Sequence, residues 1–497
     1  MPADPPGAIP LAVGPAEVAF RQARPDLDLF RPAGTLVVLP SHSIPPGELG
    51  EIKGYHRYQE RLLFLLLALR RPEVSVVFLS GFPIGEAIVD YYLGLLPDPA
   101  GARRRLCMLP VGGPGDDQRP LARRILDHPA LCRRIAAAAG PDAWLVPFVV
   151  GTDEERLAAV TGLPLYGTAA SLAHLGTKSG ARRLAARAGV ETVPGVGGLH
   201  GPDEVRETAW RLSATDPGPV IVKLDDGYGG LGGAIVHGLC PGMPLCEART
   251  DFAMPGETWG SFGAKVAERG AVVERFLTDA GLRSPSALVQ ISPGGVPDVL
   301  AIQDQILDGT VFDGCAYPAH PSHRAAVRAA AGRIALQLAE EGVMGVLSLD
   351  FLVVPGRRPR VLLCEINLRL GGTTHPFGAA LLASGAERAP GTDRLVRAGA
   401  GTHYVSTDTF ESLALRGSSP ADLVARLGDR AFSARTRTGV VLHMLGAAAE
   451  FGKVGFTAIG DSANEAWDLY EATRTALSPA PCWRENTDDQ RGGALRL

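Results

Sequence analysis

The chain has 497 residues, of which 46% are hydrophobic and 21% charged, a soluble globular balance with room for roughly two to four domains. A net charge of −4 excludes a sequence-independent grip on nucleic acid, which needs a basic excess. The longest apolar run, Leu62–Leu69, stops at Arg70, far short of the roughly 20 residues that span a bilayer. The N-terminus lacks a signal-peptide pattern, so a cytoplasmic protein with no membrane contact is expected. Seven scattered cysteines suit a reducing compartment. Cys240 and Cys246 lie closest together, but no second pair or nearby histidine completes a zinc site.

Residues 1–33 are Pro-rich and read as a flexible leader. "GTLVVLP" (34–40) and "VSVVFLS" (74–80) are short buried strands, with a helix predicted between them over Tyr55–Arg70. Strand, helix, strand is the pattern of a parallel α/β unit, placed here at 34–165. "GTDEERLAAVTG" starts a helix with Thr152 as N-cap and Glu155 three residues on. Residues 176–195 give a helix ended by Gly189. From Val220 the pattern turns to β, in "VIVKL", "GAIV", "AVVERFL", "ALVQI" and "VLAIQDQIL". A long amphipathic helix covers 323–342, and the strands "GVLSLDFLVV" and "RVLLCEINLRL" follow. A second unit is set at 166–394 and a separate segment at 395–482, where "GVVLHMLG" is a strand and "SANEAWDLYEATRTAL" a capped helix. Residues 483–497 read as a disordered tail.

The last strand of the middle unit poses the functional question. Glu365, Asn367 and Arg369 alternate with apolar residues, so all three share one face. A symmetric hairpin about the turn 355–360 pairs Leu349 with Ile366, Phe351 with Cys364 and Val353 with Leu362. The same register sets Asp350 opposite Glu365. Two carboxylates facing each other across a ladder repel unless a cation lies between them. Asp350, Glu365 and Asn367 offer oxygen ligands only, which suits Mg²⁺ completed by water and phosphate. Arg369, one step further, can take two phosphate oxygens in its planar fork. A solvated edge face is the bland alternative, and Asp350 argues against it because its neighbours in "VLSLDFLVV" are almost all apolar.

"VIVKLDDGYGGLGGAIV" (220–236) places Gly227, Gly229, Gly230 and Gly232 between two strands, with Lys223 before them. A dinucleotide fold needs a helix after such a loop, and a P-loop puts its lysine after the glycines. What remains is a flexible flap whose bare amides can approach phosphates, with Lys223 as a point charge beside it. A glycine-rich hairpin with a snorkelling lysine is the bland counterpart. "AVVERFLTDAG" carries Glu274, either an edge residue or part of a connector whose Glu274 and Phe276 backbone groups bond an adenine edge. "GGTTHP" (371–376) is either a tight turn or a cradle in which Gly371, Gly372 and Thr373 hold a substrate carboxylate. Arg283 is a candidate partner for that carboxylate.

In this order, Lys178, Lys223 with its glycine loop, "VVERFL", Asp350 and "EINLR" resemble the ATP-grasp superfamily of carboxylate–amine ligases. "CEINLRLGGTTHPFG", "LPSHSIPPGELGEIKGYHRYQERLLFLLLAL" and "GFPIGEAIVDYYLGLLP" are more closely similar to the pheganomycin-type peptide ligases. The resemblance implies a mixed α/β and α+β chain: an ATP-grasp fold preceded by an α/β pre-ATP-grasp domain and followed by a small C-terminal domain. It implies ATP contacts from Lys178, Lys223, the glycine loop, Glu274 and Phe276, and Mg²⁺ on Asp350, Glu365 and Asn367. Arg369 and Lys223 would act on the transferring phosphate, while Arg283, Arg369, Gly371, Gly372 and Thr373 face the substrate. The ribose contact is left open. The activity implied is amide formation between a carboxylate, such as an amidino-type amino acid, and the amine of a peptide or amino acid, through an acyl phosphate. An ATP-grasp phosphotransferase and a non-catalytic ATP-binding module are the alternatives. Donor identity, acceptor identity and homo-oligomerisation stay open.

Overall fold

The apolar runs Gly34–Leu39 (β1) and Val74–Ser80 (β2) lie side by side and parallel in the computed structural model, which describes residues 15–41, 54–112, 119–227 and 232–478. Leu106–Pro110 (β3) and Ala143–Pro147 (β4) complete a parallel sheet of order β3-β2-β1-β4. Such a sheet is covered on both faces and demands uniformly apolar strands; Leu36, Val37, Val38 and Leu39 are fully buried. The helix over Tyr55–Arg70 forms within its expected bounds, but as a 3-10 helix. Leu62–Leu69 are all buried there, packed between β2 and the helix Thr374–Ser384, so no polar face is left to define a stripe.

The flexible-leader expectation is corrected from residue 15 onward. Pro15–Ala23 is helical, and Phe20, Leu27, Leu29 and Phe30 enter the main core. The Leu29 N–H donates to Gln290 Oε1 at 3.0 Å, a partner 261 residues away. A proline-rich stretch carries no local period, and its ordering comes from surface supplied elsewhere. Residues 1–14 and the expected tail at 483–497 lie outside the described residues. The helix Thr152–Thr161 is capped at Gly151, whose N–H donates to Glu154 at 2.8 Å. Glu155 instead accepts from Ala170 N–H.

A second, antiparallel sheet holds Gly195–Leu199 (β5), Val220–Leu224 (β6), Gly233–His237 (β7), Arg249–Phe252 (β8) and Ala271–Arg275 (β9), in the order β5-β9-β6-β7-β8. The largest sheet begins with Pro285–Ile291 (β10), Pro297–Asp308 (β11), Val311–Tyr317 (β12), Gly345–Val354 (β13) and Arg360–Asn367 (β14). A small ribbon follows, of Glu387–Arg388 (β15), Leu395–Arg397 (β16) and Ala400–Gly401 (β17). The segment expected to stand apart after residue 395 then supplies His403–Glu411 (β18), Gly439–His443 (β19) and Lys453–Gly460 (β20) to the large sheet. Its order is β14-β13-β10-β11-β12-β18-β20-β19, eight strands in one surface. The helix Pro321–Glu340 covers one face through Val327, Ala331, Ile334 and Leu338, which pack on Ala287, Val289, Leu347 and Leu349. The opposite face of β13, β10 and β11 carries the polar side chains. No helix among the described residues is long and apolar enough to cross a membrane.

The β13–β14 register matches the expected hairpin at one end only. Leu349 meets Ile366 and Asp350 meets Glu365, but Phe351 meets Leu363, Leu352 meets Leu362 and Val353 meets Val361. The expected Phe351–Cys364 and Val353–Leu362 pairs are therefore corrected. Cys364 is an extra residue at a β-bulge, which sets two residues of β14 against one of β13 and restores the apolar face.

Candidate active site

The bulge builds the site. Leu363 and Ile366 both point into the core, so Cys364 and Glu365 are the residues left for the polar side. Asp350 lies directly across from Glu365, as the alternation required. Asn367 Nδ2 donates to Asp350 Oδ2 at 2.9 Å, and Arg369 Nη2 donates to Asn367 Oδ1 at 3.0 Å. Gln305, on β11, donates to Asp350 Oδ1 at 3.4 Å. Burial and the facing Glu365 carboxylate push Asp350 up to about 7. Burial also works against ionised Glu365, but Lys178, Arg369 and Lys223 outweigh it and hold that carboxyl below its usual range. The pair thus divides into one easily protonated acid and one firm carboxylate. Among the described residues no three His, Cys, Asp or Glu side chains form a metal-binding group. Two opposed carboxylates and an amide nevertheless fit Mg²⁺, whose remaining positions go to water and phosphate.

Two cations reach the same place, Lys223 from the second sheet and Lys178 from a helix packed on β14. Lys178 opens the helix Lys178–Arg187, capped by Thr177, and its Nζ lies 3.3 Å from Glu365 Oε1 and 3.5 Å from the Gly227 carbonyl. Lys223 Nζ donates to Glu274 Oε2 at 2.9 Å and sits 3.5 Å from Cys364 Sγ, across the cleft between the two sheets. Burial opposes its charge, but Cys364, Glu274 and Glu365 overcome this and hold the ammonium above the usual lysine range. Gly227 and Gly232 form the neck of the glycine loop: a Cβ on Gly227 would lie 3.1 Å from Gly232 Cα. Gly229 and Gly230 lie outside the described residues.

Glu274 occupies the cleft, though not as the expected backbone contact. It is central in its sheet, opposite Gly195 on β5 and Ile221 on β6, so its main chain is committed to the ladder. Its buried carboxylate bridges Lys223 and Arg182, the latter at 2.7 Å. The Phe276 N–H is likewise taken, by the Pro219 carbonyl at 3.0 Å. Leu277 and Thr278 follow it, and among the described residues their backbone groups make no hydrogen bond. The linker's open hydrogen-bonding edge among the described residues therefore starts at the Phe276 carbonyl and runs on through Leu277 and Thr278.

The turn after β14 is tighter than a free cradle. The Gly371 N–H donates to Thr374 Oγ1 at 2.9 Å, leaving the Gly372 and Thr373 amides without a partner among the described residues. Glycine at 372 is required by close approach, since a Cβ there would fall 2.5 Å from the Phe312 ring. Thr373 is buried, with its carbonyl accepting from Gln303 Nε2 at 3.3 Å. Arg369 stacks over Phe148 at 5.9 Å. Arg283 forms an isolated bridge with Val353, three residues along β13 from Asp350.

The sequence reading missed Gln305, Arg182, Cys364 and the Leu277–Thr278 edge. Gln303 and Gln305 share strand parity, but Asp304 between them makes a polar run without the apolar alternation that exposed Glu365. Arg182 and Cys364 carried no signal, because a helix arginine and a bulge become legible only in three dimensions.

Comparison with known proteins places this architecture. Residues 422–473 match the family model described as PGM1 C-terminal domain. The chain is 32% identical over 476 residues to L-propargylglycine–L-glutamate ligase of Streptantibioticus cattleyicolor, covering 90% of this chain and 95% of that protein. Among solved structures, the beta-gamma-ATP complex of biotin carboxylase from Campylobacter jejuni matches 89% of this chain and 94% of its own, with a TM-score of 0.56 at 14% identity. The ADP complex of an N5-carboxyaminoimidazole ribonucleotide synthetase covers 89% and 96%, with a TM-score of 0.54 at 13% identity. At those identities the two structures speak for the fold alone, which is ATP-grasp. Identity over nearly the full length speaks for more: the chain belongs to the ATP-grasp carboxylate–amine ligases, in the family of L-propargylglycine–L-glutamate ligase.

Proposed function

We propose that this ligase uses Mg-ATP to phosphorylate a carboxylate and then joins the acyl group to an amine, releasing ADP and phosphate. The observation that carries the reading is the Asp350–Glu365 rung, with Lys178, Lys223 and Arg369 converging on it. In the first step a carboxylate oxygen bonds to the γ-phosphorus as the bond to ADP breaks. In the second, the amine nitrogen bonds to the acyl carbon, phosphate leaves, and the ammonium proton passes to solvent. Both steps need charge neutralised and atoms aligned rather than a covalent side chain.

Asp350 and Glu365 would hold Mg²⁺, joined by the Asn367 amide oxygen once its bond to Arg369 is exchanged. The bound ion would draw charge from the phosphate oxygens and fix their direction. Lys178 and Lys223 grip the phosphates beside Gly227 and Gly232, and the edge from Phe276 to Thr278 faces the base. Arg369 and the Gly372 and Thr373 amides orient the donor carboxylate. The relative's name supports amino-acid-like partners: a donor carboxylate, an amidino-type amino acid included, and the amine of an amino acid or peptide. A cytoplasmic setting suits an ATP-dependent enzyme whose six described cysteines are all free. We assign 34–165, 166–394 and 395–482 as the pre-ATP-grasp, ATP-grasp and C-terminal regions, the last sharing the eight-stranded sheet of the second through β18–β20.

The test supplies Mg-ATP with a panel of donors and acceptors and follows ADP, phosphate and amide together. Equal ADP and phosphate with the amide are expected, and hydroxylamine should trap a donor hydroxamate. AMP and pyrophosphate would replace the acyl phosphate by an adenylate. Phosphate retained on a hydroxyl would promote a phosphotransferase, and ATP binding without turnover on any donor a binding module.

A further inference from the structure

Beside the turn that follows the metal strand lies a buried polar cluster that the phosphate chemistry does not use. His375 is the second residue of the helix Thr374–Ser384 and only 1% exposed. Its Nε2 lies 2.7 Å from Asp408 Oδ1, on β18. Asp408 Oδ2 lies 3.0 Å from Arg61, on the 3-10 helix Tyr55–Arg70. Arg61 in turn stacks on Tyr58 at 4.2 Å, and the Tyr58 hydroxyl meets Lys453 Nζ at 3.4 Å. The His443 ring abuts His375 edge-on at 4.9 Å, held by the 2.7 Å contact between its Nε2 and Thr457 Oγ1.

The fold makes room for this cluster at some cost. β18 carries a bulge between Thr407 and Phe410, which sets Asp408 and Thr409 against Gly455 alone. A Cβ on Gly455 would lie 3.2 Å from Asp408 Oδ1. The bulge aims the carboxylate inward, where His375 and Arg61 outweigh burial and hold it well below the usual carboxylate range. A buried ion pair is a poor stabiliser, since apolar packing of the same volume does as well or better. What it fixes is direction. Here it ties together three segments distant in sequence, at the residue two positions past Thr373.

We infer that His375, Asp408 and Arg61 are positioning residues, whose buried cluster holds the Gly371–Thr373 turn at the point where the donor carboxylate is received. The inference rests on the proposed function for what the turn binds. None of the contacts described for the cluster is with Lys178, Lys223, Asp350, Glu365 or Asn367, so its loss should spare ATP binding and fall on the donor. Displacement of such a group by even a fraction of an ångström weakens near-attack geometry steeply.

Four variants test this: His375→Leu, His375→Gln, Asp408→Asn and the partly exposed Arg61→Gln. His375→Leu and Arg61→Gln should raise the donor KM by about tenfold or more, with Mg-ADP affinity by calorimetry within about twofold of wild type. Asp408→Asn, which removes the charge that both partners share, should do the same. His375→Gln, which keeps a donor for Asp408, should recover most of the loss. Amide hydrogen exchange at Gly371 and Thr374, whose N–H groups are bonded within the turn, should quicken selectively in the His375→Leu and Arg61→Gln variants, with β6 and β9 unchanged. Exchange unaltered at those two amides overturns the inference, as does faster exchange with unchanged donor kinetics. A uniform fall in melting temperature with nucleotide affinity lost in step would mark a purely structural cluster and also overturn it. Should His375→Leu not fold, Arg61→Gln decides on the same readouts. Wild-type protein that turns over no donor would defeat the proposed function instead, and the exchange measurement would still decide whether the cluster holds the turn.

Discussion

Replacing Asp350 by asparagine should stabilise the metal-free protein while destroying its activity. Asp350 faces Glu365 in one rung and is pushed up to about 7, against an ordinary carboxyl near 4. The folded state therefore holds a proton that the unfolded state has released. Stability from this group is fully present below about pH 4 and is lost as pH rises through about 7. Three pKa units correspond to at most about 4 kcal/mol at pH 8. Asp350 is partly open to solvent, and asparagine offers one acceptor where the carboxylate accepts from both Asn367 and Gln305. Those losses leave a net gain of about 1–3 kcal/mol for Asp350→Asn at pH 8. In EDTA the variant should melt a few degrees above wild type at pH 8, with the gap shrinking at pH 5.5. Mg-ADP should reverse the order, since only wild type keeps the second carboxylate. A variant less stable than wild type at pH 8 in EDTA, or an equal gap at both pH values, would refute the opposed-carboxylate argument.

Glu365→Gln and Asn367→Ala should each cut ADP release to near background with circular dichroism unchanged; turnover within a few-fold of wild type in both would remove them from the metal face. Lys223→Ala strands the buried Glu274 carboxylate with Arg182 alone, so Mg-ADP affinity should fall by about 1–3 kcal/mol. Unchanged binding by calorimetry would show that Lys223 serves only its own sheet. Cys364 lies against Lys223 in the cleft, so Mg-ATP should slow its alkylation by a maleimide, read by peptide mass spectrometry. Equal labelling with and without nucleotide would place ATP elsewhere.

The parts of this protein that were legible in its sequence are those set by local period. Alternation in Arg360–Asn367 identified the acidic face, and the turn at 355–360 brought Asp350 opposite Glu365, because side-chain direction in a strand follows position parity. Order along the chain also sufficed to mark Lys178, Lys223 and the glycine loop. Parity fails at a bulge, so Cys364 and the apolar pairs nearer the turn could not be placed. Parity also says nothing about a residue outside the strands, and Arg283, joined to β13 only by an isolated bridge to Val353, carries no pattern that would place its side chain. Glu274 was noticed for its backbone, yet only the packing of the helix Lys178–Arg187 against β9 shows its carboxylate clamped by Arg182 and Lys223. The ordering of residues 15–33, the joining of β18–β20 to the large sheet, and the meeting of Arg61, His375 and Asp408 all depend on contacts between residues far apart in the chain. Long-range burial supplies the energy for those arrangements, and no local pattern encodes which distant surface will provide it.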